Sequence, residues 1–217
     1  MLLSGDAGKI EGAKKDYLQE IYDASKRMGR LINDLLNVSR LDSGRLKIEP
    51  TPTQLEDFID NVLDELRHLA KEKNCELLFK KPKTKLPKVD IDQSLLRQVI
   101  QNLVTNSIRY SEPKLCDTAV TLEKRGDMDY LVTIKDNGIG IPKEIQARIF
   151  DKFFRADNAV KAVAEGTGLG LYIAKMVIET SGGKIWFSSE EGKGTSFYFT
   201  IPLSGMKKKG GELGLAG

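Results

Sequence analysis

The 217-residue sequence is poor in cysteine and histidine and has no long apolar run, and these shortages narrow its class. Its two cysteines, Cys75 and Cys116, have neither metal-ligand spacing nor the pattern of a multi-bridge framework. They read as reduced thiols of a cytosolic protein. No apolar stretch approaches the roughly 20 residues needed to cross a bilayer. Met1-Leu-Leu-Ser is too short for a signal peptide. Neither sign of charge dominates: 34 basic residues against 31 acidic ones leave +3, which gives no reason to expect a nucleic-acid partner. There is no Gly-x4-Gly-Lys-Ser/Thr sequence, no strand–GxGxxG–helix order and no internal repeat. What remains is 40% hydrophobic and 30% charged, the balance of a soluble globular domain with an appendage.

The informative stretch is Lys135–Val177, which holds two glycine clusters. Asp136-Asn-Gly138-Ile-Gly140 follows the strand-like run Tyr130–Ile134, so Asp136 belongs at a strand end. There its carboxylate can accept from an exocyclic amine such as that of adenine. Gly138 and Gly140 lack Cβ and let a flat ring approach the backbone. The second cluster, Gly166-Thr-Gly168-Leu-Gly170-Leu171, leads into the helical pattern Leu169, Ile173, Met176, Val177. A glycine-rich loop entering a helix offers free N–H groups to phosphate. Upstream, Asn102 and Asn106 stand four apart on one face of a helical segment. An amide oxygen suits Mg²⁺ beside phosphates.

Asn102/Asn106, Asp136-x-Gly-x-Gly, Phe153-Phe154, the Gly166–Leu171 run and Gly192-x-Gly194-Thr195 resemble, in order and spacing, the N, G1, F, G2 and G3 boxes of sensor histidine kinases. The resemblance covers residues 45–203 as the ATP-binding catalytic domain and 1–44 as part of the dimerisation and phosphotransfer hairpin. Residues 204–217, rich in Gly and Lys, read as a disordered tail. The resemblance implies a two-layer α/β sandwich of the Bergerat type, shared with gyrase, Hsp90 and MutL, preceded by a long hairpin helix. It also implies ATP and Mg²⁺ as ligands. Asp136 would read adenine, Asn106 would hold Mg²⁺, and Asn102 would line the same pocket. Arg109 and Tyr110 would lie near the phosphates and ribose, with Asn106 and Arg109 taking the catalytic roles. Gly138, Gly140, Phe154, Gly166, Thr167, Gly168, Leu169, Gly170 and Thr195 would complete the nucleotide site. Implied partners are a response-regulator receiver domain, a histidine-bearing hairpin helix in cis or trans, and a second copy in the full-length protein. Family members are often tethered to membranes by segments outside a chain like this one.

In chain order, a long helix is expected from about Glu11, with Tyr17, Ile21, Ala24, Met28, Leu31, Leu35 and Val38 at three- and four-residue steps. Asp42-Ser-Gly44 ends it. Its wide stripe needs a partner, either this chain's own domain or the helices of a dimeric four-helix bundle, and the separation at Ser43-Gly44 favours the bundle. The family's first hairpin helix, with its phosphoacceptor histidine, is expected before residue 1. The sole histidine, His68, lies on the next helix, about 54–72, in the wrong context for an acceptor. Leu46–Glu49 reads as an edge strand, Thr53 as a helix cap. Strands are expected at 76–80 and 88–92, a helix started by Asp92, and hairpins at 119–135 and 184–201. Pro142 starts a short helix, and a mobile lid with a lone Lys161 is expected at about 156–166.

Two other readings share these residues. One is a stand-alone serine kinase acting on an anti-sigma antagonist, against which the long Tyr17–Leu41 helix and its linker argue. The other is a non-enzymatic dimerisation or binding module with a vestigial pocket, against which the intact boxes weigh.

Overall fold

In the computed structural model, residues 12–111, 116–162 and 166–210 are described. Helix α1 (Ala13–Asp42) is followed by β1 (Thr51–Thr53), α2 (Leu55–Glu72), β2 (Glu76–Lys80), β3 (Val89–Ile91) and α3 (Gln93–Tyr110). The hairpin β4 (Asp117–Arg125) and β5 (Asp129–Asp136) comes next, then a 3-10 turn at Lys143–Arg148, α4 (Asp157–Ala162) and α5 (Gly170–Thr180). Strands β6 (Ile185–Glu190) and β7 (Gly194–Pro202) close the domain. Its mixed sheet runs β2-β4-β5-β7-β6, with β2 parallel to β4 and the other pairs antiparallel. Helices α2, α3 and α5 cover one face of it, giving the expected α/β sandwich.

Strand period two decides what lies between the layers. On β5, Tyr130, Val132 and Ile134 point into the core, opposite Ile201, Phe199 and Phe197 of β7. Asp136 is the next residue on that same face, so the strand itself carries a carboxylate to the edge of the core. Facing it, α3 buries Leu96, Val99, Ile100, Leu103, Val104 and Ile108 on its stripe. Each fully buried Leu or Ile contributes roughly 1.5–3 kcal/mol. Asp92 caps α3 as expected, its Oδ1 accepting from the N–H groups of Ser94 (3.0 Å) and Leu95 (3.1 Å).

Several expectations are corrected. The edge strand lies at Thr51–Thr53, not at Leu46–Glu49; it pairs with β3, and Pro52 is tolerated in so short an edge element. Ile48 makes only an isolated bridge, to Lys209. Thr53 does not cap α2; Gln54 is the N-cap, and the Thr53 hydroxyl donates to the Thr51 carbonyl at 2.8 Å. The short helix expected at Pro142 is present, in 3-10 form at Lys143–Arg148 with Pro142 as its N-cap. Residues 204–210 are no free tail. Met206 is buried, its N–H donates to the Asp90 carbonyl at 2.7 Å, and its sulfur accepts from the Asp92 N–H at 3.3 Å. Residues 211–217 lie outside the described residues.

The cysteines are the sharpest correction. Cys75 and Cys116 are joined in a disulfide, with Cα atoms 4.4 Å apart, and are not free thiols. Each immediately precedes a strand, and the parallel pairing of β2 with β4 sets the two strand starts side by side. Nothing in a sequence separation of 41 residues announces that neighbourhood.

Helix α1 divides into two parts. Tyr17, Ile21, Met28, Leu31 and Leu35 are exposed, whereas Val38 and Leu41 are buried in the domain core. At its end Asp42 accepts from the Tyr172 hydroxyl of α5 at 2.6 Å and pairs with Lys152. Own-domain packing thus claims the last turn, and the rest of the stripe is left uncovered. Among the described residues no helix is long and apolar enough to cross a membrane.

Candidate functional site

A cavity of about 550 Å³ opens between α3, the loop after β5, α4 and the Gly166–Gly170 loop. Asp136 stands at its inner end. One carboxylate oxygen, Oδ1, accepts from the N–H groups of Gly138 (2.9 Å) and Thr195 (3.0 Å). The Ser107 hydroxyl adds another hydrogen bond. Burial pushes the Asp136 carboxyl above its ordinary value, and these three donors act the other way. The result is an oriented acceptor with apolar neighbours, Ile139, Ile141, Ile149 and Phe197, lining the same space.

The turn after Asp136 is held against the end of α3. The Ile139 N–H donates to the Tyr110 carbonyl at 2.9 Å, and a Cβ on Gly138 would stand 2.5 Å from that oxygen. Gly140, at φ +65°, sits where a Cβ would meet the Glu190 carbonyl oxygen at 2.1 Å, so no side chain fits there. Gly138 is therefore a buttress behind the cavity, whereas Gly140 lines it.

On α3 the cavity wall is Asn102, Asn106, Arg109 and Tyr110, all half-buried. Asn102 is also structural, since its Nδ2 donates to the Gly170 carbonyl at 3.1 Å and ties α3 to α5. Gly166, Thr167, Gly168 and Gly170 line the opposite side. Leu169 does not; it is buried in the core and caps the start of α5. Thr167 shapes this loop, accepting from the Leu169 N–H at 3.1 Å. Thr195 joins the wall through its backbone donor and through a 2.9 Å hydroxyl contact with Ser189.

The aromatic pair separates. Phe154 lines the cavity, packs against the core and lies under the Arg148 guanidinium at 4.5 Å. Phe153 is 61% exposed at φ +61°, and its backbone rather than its ring abuts Gly168. Within the expected lid, α4 covers Asp157–Ala162, and Asn158 donates to the Gly140 carbonyl at 3.3 Å. Residues 163–165 and the side chain of Lys161 lie outside the described residues.

Arg155 and Asp34 are among the contributors that escaped the sequence reading. Arg155 lines the cavity and donates to the Gly166 carbonyl at 3.4 Å, bringing a second cation to the cavity on the side opposite Arg109. A charged residue directly after the aromatic pair was the available signal. Asp34, with Asn33 and Asn37, reaches the cavity from α1, and Thr167 donates to Asp34 Oδ2 at 3.2 Å. No local pattern could signal a contact across 133 residues.

The cavity thus has an acceptor with apolar walls at one end and amides, guanidinium groups and a glycine loop at the other. That division suits a flat amine-bearing ring joined to an anion. The residues present also fit a magnesium ion. Asn106, whose amide carries an oxygen of the kind Mg²⁺ accepts, lines the cavity beside the guanidinium groups. Mg²⁺ beside phosphates takes few protein ligands.

Comparison with known proteins points the same way. The profile described as histidine kinase-, DNA gyrase B-, and HSP90-like ATPase matches residues 91–205. The His kinase A (phospho-acceptor) domain profile matches residues 2–44, a stretch without histidine. The chain is 36% identical over 187 residues to sensor histidine kinase WalK of Bacillus subtilis (strain 168), across 86% of this chain and 30% of WalK. It is 37% identical over 188 residues to sensor protein SrrB of Staphylococcus aureus (strain N315), across 87% of this chain and 32% of SrrB. It therefore spans about a third of the length of these relatives. Among solved structures, histidine kinase ThkA in complex with response regulator protein TrrA superposes with a TM-score of 0.69. That match is 25% identical and covers 91% of this chain and 54% of the other.

Proposed function

Because the chain belongs to the family of histidine kinase-, DNA gyrase B- and HSP90-like ATPases, we propose that its cavity binds ATP with Mg²⁺ and presents the γ-phosphoryl group to a histidine. The observation that carries this reading is Asp136, a buried carboxylate oriented by Gly138, Thr195 and Ser107 at the inner end of the cavity. It accepts from the adenine amine, while guanine would oppose its carbonyl to the carboxylate. Arg109 and Arg155 offset charge on the phosphates, and the Gly166–Gly170 loop wraps them with backbone N–H groups. Asn106 would hold a magnesium ion through its amide oxygen, and the ion would supply charge neutralisation at the phosphates.

Transfer breaks the bond between the γ-phosphorus and its bridging oxygen as an imidazole nitrogen bonds to that phosphorus, and ADP leaves. His68 is a poor acceptor: it is exposed on α2 and paired with Glu72 at 3.2 Å, with no place in the cavity lining. The acceptor imidazole comes from a hairpin helix supplied in cis or in trans. A response-regulator receiver domain then takes the phosphoryl group, a role supported by the ThkA–TrrA likeness.

Calorimetry with Mg-ATP and Mg-GTP tests the site. ATP should bind at least tenfold more tightly than GTP, and Asp136→Asn should weaken ATP by about tenfold or more, roughly 1.4 kcal/mol. Equal affinity for the two nucleotides would reject the adenine assignment. With γ-labelled ATP the chain alone should form no acid-labile phosphohistidine, and a histidine-bearing helix added in trans should acquire label. Acid-stable label on the chain would favour the serine-kinase reading instead.

A further inference from the structure

We propose that Cys75 and Cys116 are a dithiol–disulfide couple whose state tunes nucleotide affinity; the inference rests on the nucleotide reading of the Asp136 cavity. The bridge joins the starts of β2 and β4, and the first residue of β4 holds the turn that borders the cavity. Going forward, the N–H of Asp117 donates to Asn137 Oδ1 at 3.0 Å, and Asn137 lies between Asp136 and Gly138. The next residue, Thr118, is in register with Asp136 across the sheet. Going back, Cys116 follows Tyr110 by six positions in the sequence. Tyr110 lines the cavity and anchors the Ile139 N–H. Cys75, in turn, is fixed to the end of α2 by its N–H to the Ala70 carbonyl at 2.8 Å.

With the bridge closed, the start of β4 is tethered to the end of α2, and the Asp136–Gly138 turn is held through Asp117. With it open, two thiols must retreat to ordinary van der Waals separation. In that state Asp117 loses the covalent anchor beside it. A wall held in its binding geometry before the ligand arrives loses less freedom on binding. The oxidised form is therefore the tighter binder.

The chemistry is thiol–disulfide exchange with a small-molecule disulfide. One cysteine thiolate attacks a sulfur of that disulfide, forming a mixed disulfide and expelling one thiolate. The second cysteine thiolate attacks the protein-side sulfur, closing the Cys75–Cys116 bond and expelling the other. The pair loses two electrons and two protons; the small disulfide gains the electrons, and the protons pass to the thiolates or to solvent.

The test uses the full chain equilibrated in oxidised or reduced glutathione, with free thiols counted and the Mg-ADP dissociation constant measured in each buffer. Thiols should fall from two to none on oxidation, and reduction should weaken Mg-ADP binding at least threefold. Cys75→Ser and Cys116→Ser should each bind as the reduced protein does, in either buffer. Equal affinity of the two forms despite full interconversion of the thiols overturns the inference while leaving the nucleotide site intact. So does a pair that stays reduced in oxidised glutathione. Absence of binding in both forms rejects the nucleotide reading and this inference together.

Discussion

Helices α1 and α3 carry the same kind of sequence, apolar residues at three- and four-residue steps among polar ones, yet end in opposite surroundings. Over 18 residues α3 buries seven, and its last turn supplies cavity wall. Among the described residues of the 30-residue α1, Val38 and Leu41 alone are buried. Its stripe from Tyr17 to Leu35 is exposed, with Leu31 bordering the cavity. Periodicity states that a face is to be covered; it does not say by what. For α3 the cover is the sheet of the same chain. The C-terminal end of α1 docks beside α5 of this chain, and we propose that a second copy covers the rest.

The comparison breaks most readily at matched leucines. Leu103→Ala on α3 should lower unfolding free energy by about 2–5 kcal/mol, measured in urea, because a cavity opens in a packed core. Leu35→Ala on α1 should change it by less than about 0.5 kcal/mol in dilute solution. Similar losses would mean that α1 is already covered in the monomer.

A smaller effect, visible only with concentration, sharpens the same contrast. Ile21→Glu combined with Met28→Glu should abolish self-association in sedimentation equilibrium, since both side chains lie on the exposed stripe. Wild type that sediments as a monomer at every concentration would remove the second copy as the cover for α1.

The smallest effect belongs to the hinge between the two environments. The Lys152 hydrogen bond, with that of Tyr172, holds the Asp42 carboxyl below its ordinary value. Its contribution is therefore present above the unfolded carboxylate range, near pH 4, and is lost as pH falls through the lower folded value. Ring signals of Tyr172, followed by NMR, should step below about pH 4 in wild type and show no such step in Asp42→Asn. A step that persists in the variant would assign the titration to another group.

Much of the architecture was readable because its signals are local. Asp92 caps its own helix, Glu76–Lys80 is a short strand run, and Tyr130–Ile134 alternates inward and outward up to Asp136. Errors cluster where a distant segment chooses the partner. The strand at Thr51–Thr53 exists because β3 lies beside it, and Met206 is buried where it meets the backbone of Asp90 and Asp92. Asn102 looked like a ligand-facing amide and also ties two helices together, a role visible only once Gly170 is adjacent.

The sequence by itself determined which residues could make a nucleotide site: an acid at a strand end, two glycine clusters and a pair of helical asparagines. Side-chain chemistry and periods of 2 and 3.6, which operate over a few residues, placed these candidates at a strand end and on a helix, and the resemblance to sensor histidine kinases supplied their roles. Only the tertiary structure decided that Cys75 and Cys116 meet, that Arg155 joins the cavity wall, and that Asp34 of α1 reaches Thr167. Each of these depends on strand order or helix docking, through which residues remote in the chain become neighbours, and no local pattern encodes that distance.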